Sequence, residues 1–259
     1  MTPLIDLASA AVLELDEVDS TNTFARTLAI EGHPPLPLVI VARKQTAGRG
    51  RGSNQWFSDQ GSLTFSVLMD PDSFALHPSH WPCVALASAV AVVDAIDPFL
   101  GSVTAGIRWP NDVEIQGRKV AGLLPERFET PNGPRLVLGI GLNVSTRFDK
   151  APPEVQAIAT SIQQEAATPV PDLTTVRTSL LRHLSIRLIQ LSSDEPLLTR
   201  RWQSLDTLRD RPVTIEQGAT VVSGLGAGIR EDGALLLETK SGLVSVFGGI
   251  VVRESPRPG

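Results

Sequence analysis

The sequence predicts an α+β fold that ends in a small all-β barrel. Three observations point there. Leu173, Val176, Leu180, Leu184, Leu188 and Leu191 recur with the 3.6-residue period of an amphipathic helix. Short apolar or alternating runs at 38–42, 63–69 and 136–140 read as strands. After Arg211-Pro212 the texture changes to brief β-like runs at 213–215, 221–225, 234–238 and 243–247, separated by turns that contain Gly218, Gly233 and Gly242. That tail of about fifty residues is small for an independent core, so it is expected to pack on the larger part.

The chain has 259 residues, 42% hydrophobic, with a net charge of −5. An acidic balance argues against a general nucleic-acid binder, while leaving room for a local basic site. Its one cysteine, Cys83, excludes an intramolecular disulfide and a multi-cysteine metal site. The start lacks the basic region and apolar core of a signal peptide, and no apolar run is expected to approach the length of a membrane span. The expectation is a cytoplasmic protein without a membrane partner.

In chain order, residues 11–15 form a strand-like run. Asp19-Ser20-Thr21-Asn22 then resembles a helix N-cap cluster, with Phe24 and Leu28 at i, i+4 spacing and Gly32 as a stop. On spacing alone, capping is the simplest role for Ser20, Thr21 and Asn22. Residues 70–79 read as a loop. Its His77 and His80 have the spacing of a helical metal pair, but Pro78 lies between them. Pro82 fits the first turn of an alanine- and valine-rich helix reaching about residue 95, with Cys83 packed there as a small hydrophobe.

Two β-rich runs flank Gln116-Gly117-Arg118 and read as a hairpin, with Lys119 entering its second strand. Small Ala121 and Gly122 beside that lysine let something approach closely; an exposed edge-strand lysine is the simpler alternative. Pro110-Asn111-Asp112 can be only a turn. Asn143, at a strand end, suits either a turn or a ligand contact. Residues 145–170 read as irregular. Asp172 caps the long helix, His183 lies off its stripe and reads as solvated, and a second helix covers about 195–207.

The stretch 45–56 stands out. From Val41 to Trp56 there are four basic residues and no acidic one. Gly48, Gly50 and Gly52 alternate with Arg49 and Arg51. Glycine lets a backbone approach a ligand, and arginine presents a forked, permanent cation that matches phosphate or carboxylate. The stretch joins two strands, so it is neither a P-loop nor a dinucleotide fingerprint, both of which lead into a helix.

Five segments in order carry a resemblance: Ser20-Thr21-Asn22; Gln45-Thr46-Ala47-Gly48-Arg49-Gly50-Arg51; Arg108-Trp109-Pro110-Asn111-Asp112; Gly117-Arg118-Lys119-Val120-Ala121-Gly122; and Gly139-Ile140-Gly141-Leu142-Asn143. Together they closely resemble the biotin protein ligases. Residues 202–206, Arg211-Pro212 and 228–237 look like that family's SH3-like tail. The resemblance implies a mixed-sheet catalytic domain of the class II aminoacyl-tRNA-synthetase type at 1–208 and an SH3-like barrel at 209–259. Arg108 stands where the family usually has lysine. Ser53-Asn54-Gln55 replaces a common bacterial Gly-Arg extension, leaving the loop one arginine poorer. With no N-terminal helix-turn-helix before the catalytic part, DNA binding is not expected.

The resemblance further implies ATP, Mg²⁺ and biotin as reactants. Biotin is activated to biotinyl-5′-AMP and passed to a lysine of a biotin carboxyl carrier protein, by a monomer or a homodimer. The biotin site would comprise Ser20, Thr21, Asn22, Gln45, Gly48, Arg49, Gly50, Arg51, Lys119 and Gly122. Arg51, Trp56, Asn111 and Asn143 would meet the adenylate. Arg49, Arg51, Lys119 and Asp112 would be catalytic, with Asp112 orienting phosphate or Mg²⁺. The alternatives are a lipoate-type acyl-adenylate ligase and a non-catalytic biotin sensor.

Overall fold

The computed structural model describes residues 5–32 and 34–252; the outermost residues of both expected domains lie outside this range. Seven strands form the main sheet: β1 (Ala11–Val18), β2 (Leu38–Gln45), β3 (Ser62–Met69), β4 (Ala105–Arg108), β5 (Asp112–Ile115), β6 (Arg118–Thr130) and β7 (Gly133–Asn143). Their order is β1-β2-β3-β7-β6-β5-β4. Only β1 and β2 pair in parallel, so the sheet is mixed.

The two faces of the sheet are packed differently. α2 (Val84–Leu100) and α5 (Leu173–Ser192) cover one face, where Phe65, Val67, Leu138, Ile140 and Leu123 join the principal core. α1 (Thr21–Glu31) covers part of the other, over Leu68, Val137 and Phe128. Because successive strand residues point to opposite faces, Ser66, Gly122, Leu124, Glu126, Gly139, Gly141 and Asn143 share the face of α1. β3 is buried along its whole length, which explains why Thr64 and Ser66 are not solvent-facing despite their alternation with Phe65 and Val67.

Several expectations are corrected. Pro82 falls inside a 3-10 turn, Pro78–Cys83, and α2 starts only at Val84 and runs to Leu100. The combined stretch Pro78–Leu100, 23 residues, contains an 18-residue window of mean hydropathy 1.9 that is long and apolar enough to cross a membrane, contrary to the reading of the sequence; here 78% of that window is buried inside the fold. The segment read as irregular contains α3 (Pro153–Ile158) and α4 (Ile162–Glu165). His77 and His80 cap that 3-10 turn reciprocally, and His80 also contacts Asp194. His183 is half-buried and its Nδ1 meets the Ser179 carbonyl.

Asp172 caps α5 by accepting from the Thr175 amide at 2.9 Å, and the leucine stripe is buried from Val176 to Leu191. α6 (Pro196–Ser204) leads to a five-stranded antiparallel sheet: β8 (Pro212–Gln217), β9 (Thr220–Ile229), β10 (Leu235–Thr239), β11 (Gly242–Val246) and β12 (Ile250–Val251). Its order, β11-β10-β9-β8-β12, leaves β11 and β12 as opposite edges. The expected barrel is therefore not closed. Val213, Ile215, Ile229, Leu235, Leu237 and Val246 belong to the principal core, so one face of this sheet packs on the rest of the chain while Val221, Leu243 and Ile250 stay exposed.

Candidate active site

A cleft of about 1300 Å³ lies on the α1 side of the main sheet and reaches the edge of the C-terminal sheet at Gly249–Val251. Glycines make its floor. Gly122 of β6 pairs directly with Gly141 of β7, and Leu124 pairs with Gly139. The Trp56 indole lies on this floor: a Cβ added at Gly141 would sit 2.3 Å from its Cε2. Gly139 leaves the space taken by Asn22, whose Oδ1 would be 2.3 Å from an added Cβ.

One wall is a polar network at the start of α1. Ser20, Thr21 and Asn22 are 2%, 4% and 4% exposed. The Ser20 side chain makes no capping bond, so the capping role read from spacing does not hold. The Thr21 amide donates to Gln45 Oε1 at 2.8 Å, and the Thr21 hydroxyl meets the same oxygen at 3.2 Å. Ser66 Oγ lies 2.7 Å from Thr21 Oγ1 and 2.6 Å from Asn22 Oδ1. With its Oε1 occupied, Gln45 keeps its amide NH₂ beside Gly48.

The glycine–arginine stretch is a small hairpin. Trp56 N donates to Gly48 O at 2.9 Å and Gly50 N to Asn54 O at 2.8 Å, with Arg49 bridged to Gln55. The turn closes through Asn54 N to Arg51 O at 3.3 Å, with Gly52 at φ 65°, a left-handed value that suits glycine. Ser53-Asn54-Gln55 thus completes the returning arm through its backbone, without a further arginine.

The opposite end of the cleft gathers charge. The hairpin turn between β5 and β6 is two residues, Gln116 at φ 52° and Gly117 at φ 77°, one shorter than the expected Gln116-Gly117-Arg118 and of the kind that matches strand twist. The register then shifts between Val113 and Glu114: Glu114 pairs with Lys119, yet Asp112 pairs with Gly122. That irregularity lets the Lys119 side chain fold over Gly122, where an added Cβ would sit 3.1 Å from Nζ. Nζ comes 2.6 Å from Asp112 Oδ1, an ion pair outside hydrogen-bonding angles, and 5.7 Å from the Trp56 ring centroid. Lys119 is therefore on an interior strand and 27% exposed, not an exposed edge lysine.

Arg51 reaches the same end. Its Nη1 donates to the Gly249 carbonyl at 2.7 Å. Burial pulls its guanidinium below the usual pKa, while the Asp112 charge acts in the opposite sense; an arginine so placed still stays protonated near neutrality. Arg49 instead forms a forked pair with Glu126, at 2.8 and 3.1 Å. Asn111 is in the turn before β5, donating to Leu123 O at 2.8 Å. Asn143, 3% exposed, donates to Thr160 O at 3.1 Å and accepts from Thr146.

Residues 15–143 match the biotin/lipoate A/B protein ligase family, and residues 210–253 match the biotin protein ligase C-terminal domain. A biotin–[acetyl-CoA-carboxylase] ligase of Mycobacterium tuberculosis is 32% identical over 240 residues, covering 91% of this chain and 86% of that one. The chain belongs to the biotin protein ligase family. The ligase is also 31% identical over 241 residues to the bifunctional ligase/repressor BirA of Bacillus spizizenii, covering 90% of this chain and 70% of that one. Its fold matches the Aquifex aeolicus biotin protein ligase solved with biotin and ATP, with a TM-score of 0.78 and 28% identity over 95% of this chain and 99% of that one. These matches bear out the biotin reading over the lipoate-type and sensor alternatives.

Among the residues left out by the reading of the sequence, Gly249 lines the ligase's cleft, and Ser66, Glu126 and Gly248 touch residues that line it. Ser66 gave a signal, a polar residue centred in a buried strand. Glu126 lies four residues past Gly122, on the same face by strand period. Gly248 and Gly249 gave none, because β12 is only two residues long.

Proposed function

We propose that this ligase condenses biotin with ATP in the cleft and passes the biotinyl group to a lysine of a biotin carboxyl carrier protein, with residues 1–208 as the catalytic part and 209–259 as the SH3-like part. The observation that carries the reading is the meeting of Arg51, Lys119 and Asp112 at one end of a glycine-floored cleft whose other end is the Ser20–Thr21–Gln45 network.

The chemistry requires that arrangement. A biotin carboxylate oxygen attacks the α-phosphorus of ATP and pyrophosphate leaves, giving a mixed anhydride. The carrier lysine amine then attacks the acyl carbon and AMP leaves with the bonding pair. In the first step two anions must meet, so fixed cations offset their repulsion and the charge growing on phosphate oxygens. Arg51 and Lys119 supply two, with Arg49 nearby on the hairpin, and Asp112 holds the Lys119 ammonium in place.

At the other end, Ser20, Thr21 and Gln45 suit the polar ureido head of biotin, whose ring needs apolar walls around a few placed polar groups. Trp56, Asn111 and Asn143 suit the adenylate. The residues fit a Mg²⁺ ion carried largely by the nucleotide phosphates, with Asp112 as the nearby carboxylate; among the described residues there is no group of three His, Cys, Asp or Glu to hold one alone. Such an ion would add charge to the phosphate end. We hold the enzyme to be cytoplasmic, a monomer or homodimer, and to need neither DNA nor a membrane.

The test is pyrophosphate release with Mg-ATP. Biotin is expected to be required and lipoate neither to replace it nor to compete. Release with lipoate, or none with biotin, would overturn the reading.

A further inference from the structure

One carboxylate behind the cleft wall, bonded to two of the residues that line it, has no place in the chemistry above. Glu126 lies on β6 among the family motifs but in none of them, and its side chain is 25% exposed. Its Oε2 accepts from Asn22 Nδ2 at 2.7 Å and from Arg49 Nη1 at 3.1 Å, and its Oε1 accepts from Arg49 Nη2 at 2.8 Å. A bare carboxylate beside a site for two anionic substrates would oppose their binding. This one is neutralised by a forked guanidinium pair, the geometry in which arginine is strongest.

The same contacts define Arg49. It sits at the base of the hairpin, where it is bridged to Gln55, one residue from the Gly48–Trp56 hydrogen bond. With its charge answered by Glu126, Arg49 adds little to the cationic end of the cleft, which is left to Arg51 and Lys119.

Asn22 is equally committed. Its Nδ2 also donates to Leu124 O at 3.1 Å, its Oδ1 accepts from Ser66 at 2.6 Å, and Gly139 packs against it. Ser66 in turn meets Thr21, and Thr21 holds Gln45. A disturbance at Glu126 therefore reaches the polar wall at the start of α1 rather than the phosphate end.

From this we infer that Glu126 is a positioning residue for biotin: through Asn22 it sets the Thr21–Ser66–Gln45 wall, and through Arg49 it fastens the base of the hairpin over that wall. The inference rests on the biotin reading above, and adds a residue and a division of labour between the two arginines. Arg49 positions, whereas Arg51 meets charge.

Steady-state pyrophosphate release by the full chain, titrated separately in biotin and ATP, tests it. Glu126→Gln removes the charge and keeps the shape. It is expected to raise the biotin KM about tenfold, the scale of one lost charge-assisted hydrogen bond, with the ATP KM unchanged within about twofold. Arg49→Gln is expected to do the same, and the double variant to be no worse than the weaker single one, because both remove one interaction. Glu126→Asp, which keeps the charge on a shorter arm, is expected to fall between wild type and Glu126→Gln, and serves if the glutamine variant does not fold.

A rise in ATP KM with Arg49→Gln, additive effects in the double variant, or unchanged biotin KM in the Glu126 variants would each overturn the inference. Failure of the wild-type chain to use biotin would instead overturn the reading on which it rests.

Discussion

Arg51 and Gly249 are 198 residues apart in the chain and joined by a 2.7 Å hydrogen bond from the guanidinium to the carbonyl. The turn of the glycine–arginine hairpin is thus tied to the C-terminal sheet. Gly249 is at φ 134°, and an added Cβ would lie 2.5 Å from Ile215 Cγ2 and 2.8 Å from Glu216 O. Gly249→Ala should therefore displace that carbonyl at a cost of about 1–3 kcal/mol. The expected result is a lower melting temperature together with slower biotin-dependent pyrophosphate release. A variant with normal release would show that the tie does not set Arg51.

Arg51→Ala and Lys119→Ala should each slow adenylation by about 10²–10³-fold or more, the usual cost of removing a donor aimed at transition-state charge. Single-turnover pyrophosphate release measures this directly. Lys119→Ala should also free Asp112, so Asp112→Asn in that background is expected to restore part of the lost rate. Rates near wild type in either alanine variant would remove these cations from the reaction.

The fold was largely legible in the sequence, and the site partly so. The leucines of α5, the Asp172 cap and the Gln116-Gly117-Arg118 turn are local signals; the first two formed where their signals lay, and the turn formed one residue shorter, with Arg118 opening β6. The two short helices after Val144 were missed because they are a turn or two long, where propensity is weak and packing decides. The open C-terminal sheet was read as a barrel because strands and turns predict pairing of neighbours, while closure depends on whether the two edge strands meet. At the site, the motif residues line one cleft, but the direction of each charge did not follow from spacing. Arg49 and Arg51 are two residues apart and engage different partners, Glu126 and Gly249. Lys119 reaches Asp112 only because the ladder slips by one residue.

Hairpin 48–56 should respond to ligand. The adenylate is a reactive anhydride, and excluding water from it requires a cover. Hydrogen exchange at these amides is expected to slow when biotin and Mg-ATP are both present, relative to the free protein. Equal exchange in the two states would mean that the hairpin is not the cover.

Cys83 provides a pH marker away from the cleft. Burial first, then the charges of Asp232 and Asp194, push its thiol from 9.0 up to about 12. A raised thiol pKa favours the neutral form in the fold. The corresponding stability is complete below the unfolded value near 9.0 and is lost as pH climbs through about 12. The native thiol should resist alkylation at pH 8 and react once the chain is unfolded, because the thiolate is the nucleophile. Cys83 is buried at the start of α2, with its Sγ 3.1 Å from where a Cβ on Gly233 would lie, and rapid native labelling at pH 8 would contradict that packing.

The most direct measurement combines the protein with biotin, Mg-ATP and an apo carrier domain, followed by mass spectrometry of the carrier. One biotinyl group on a single carrier lysine, dependent on ATP and formed far more slowly by the Arg51→Ala variant, is the expected result. An unmodified carrier in the presence of all three, or modification that survives loss of Arg51 undiminished, would contradict the account.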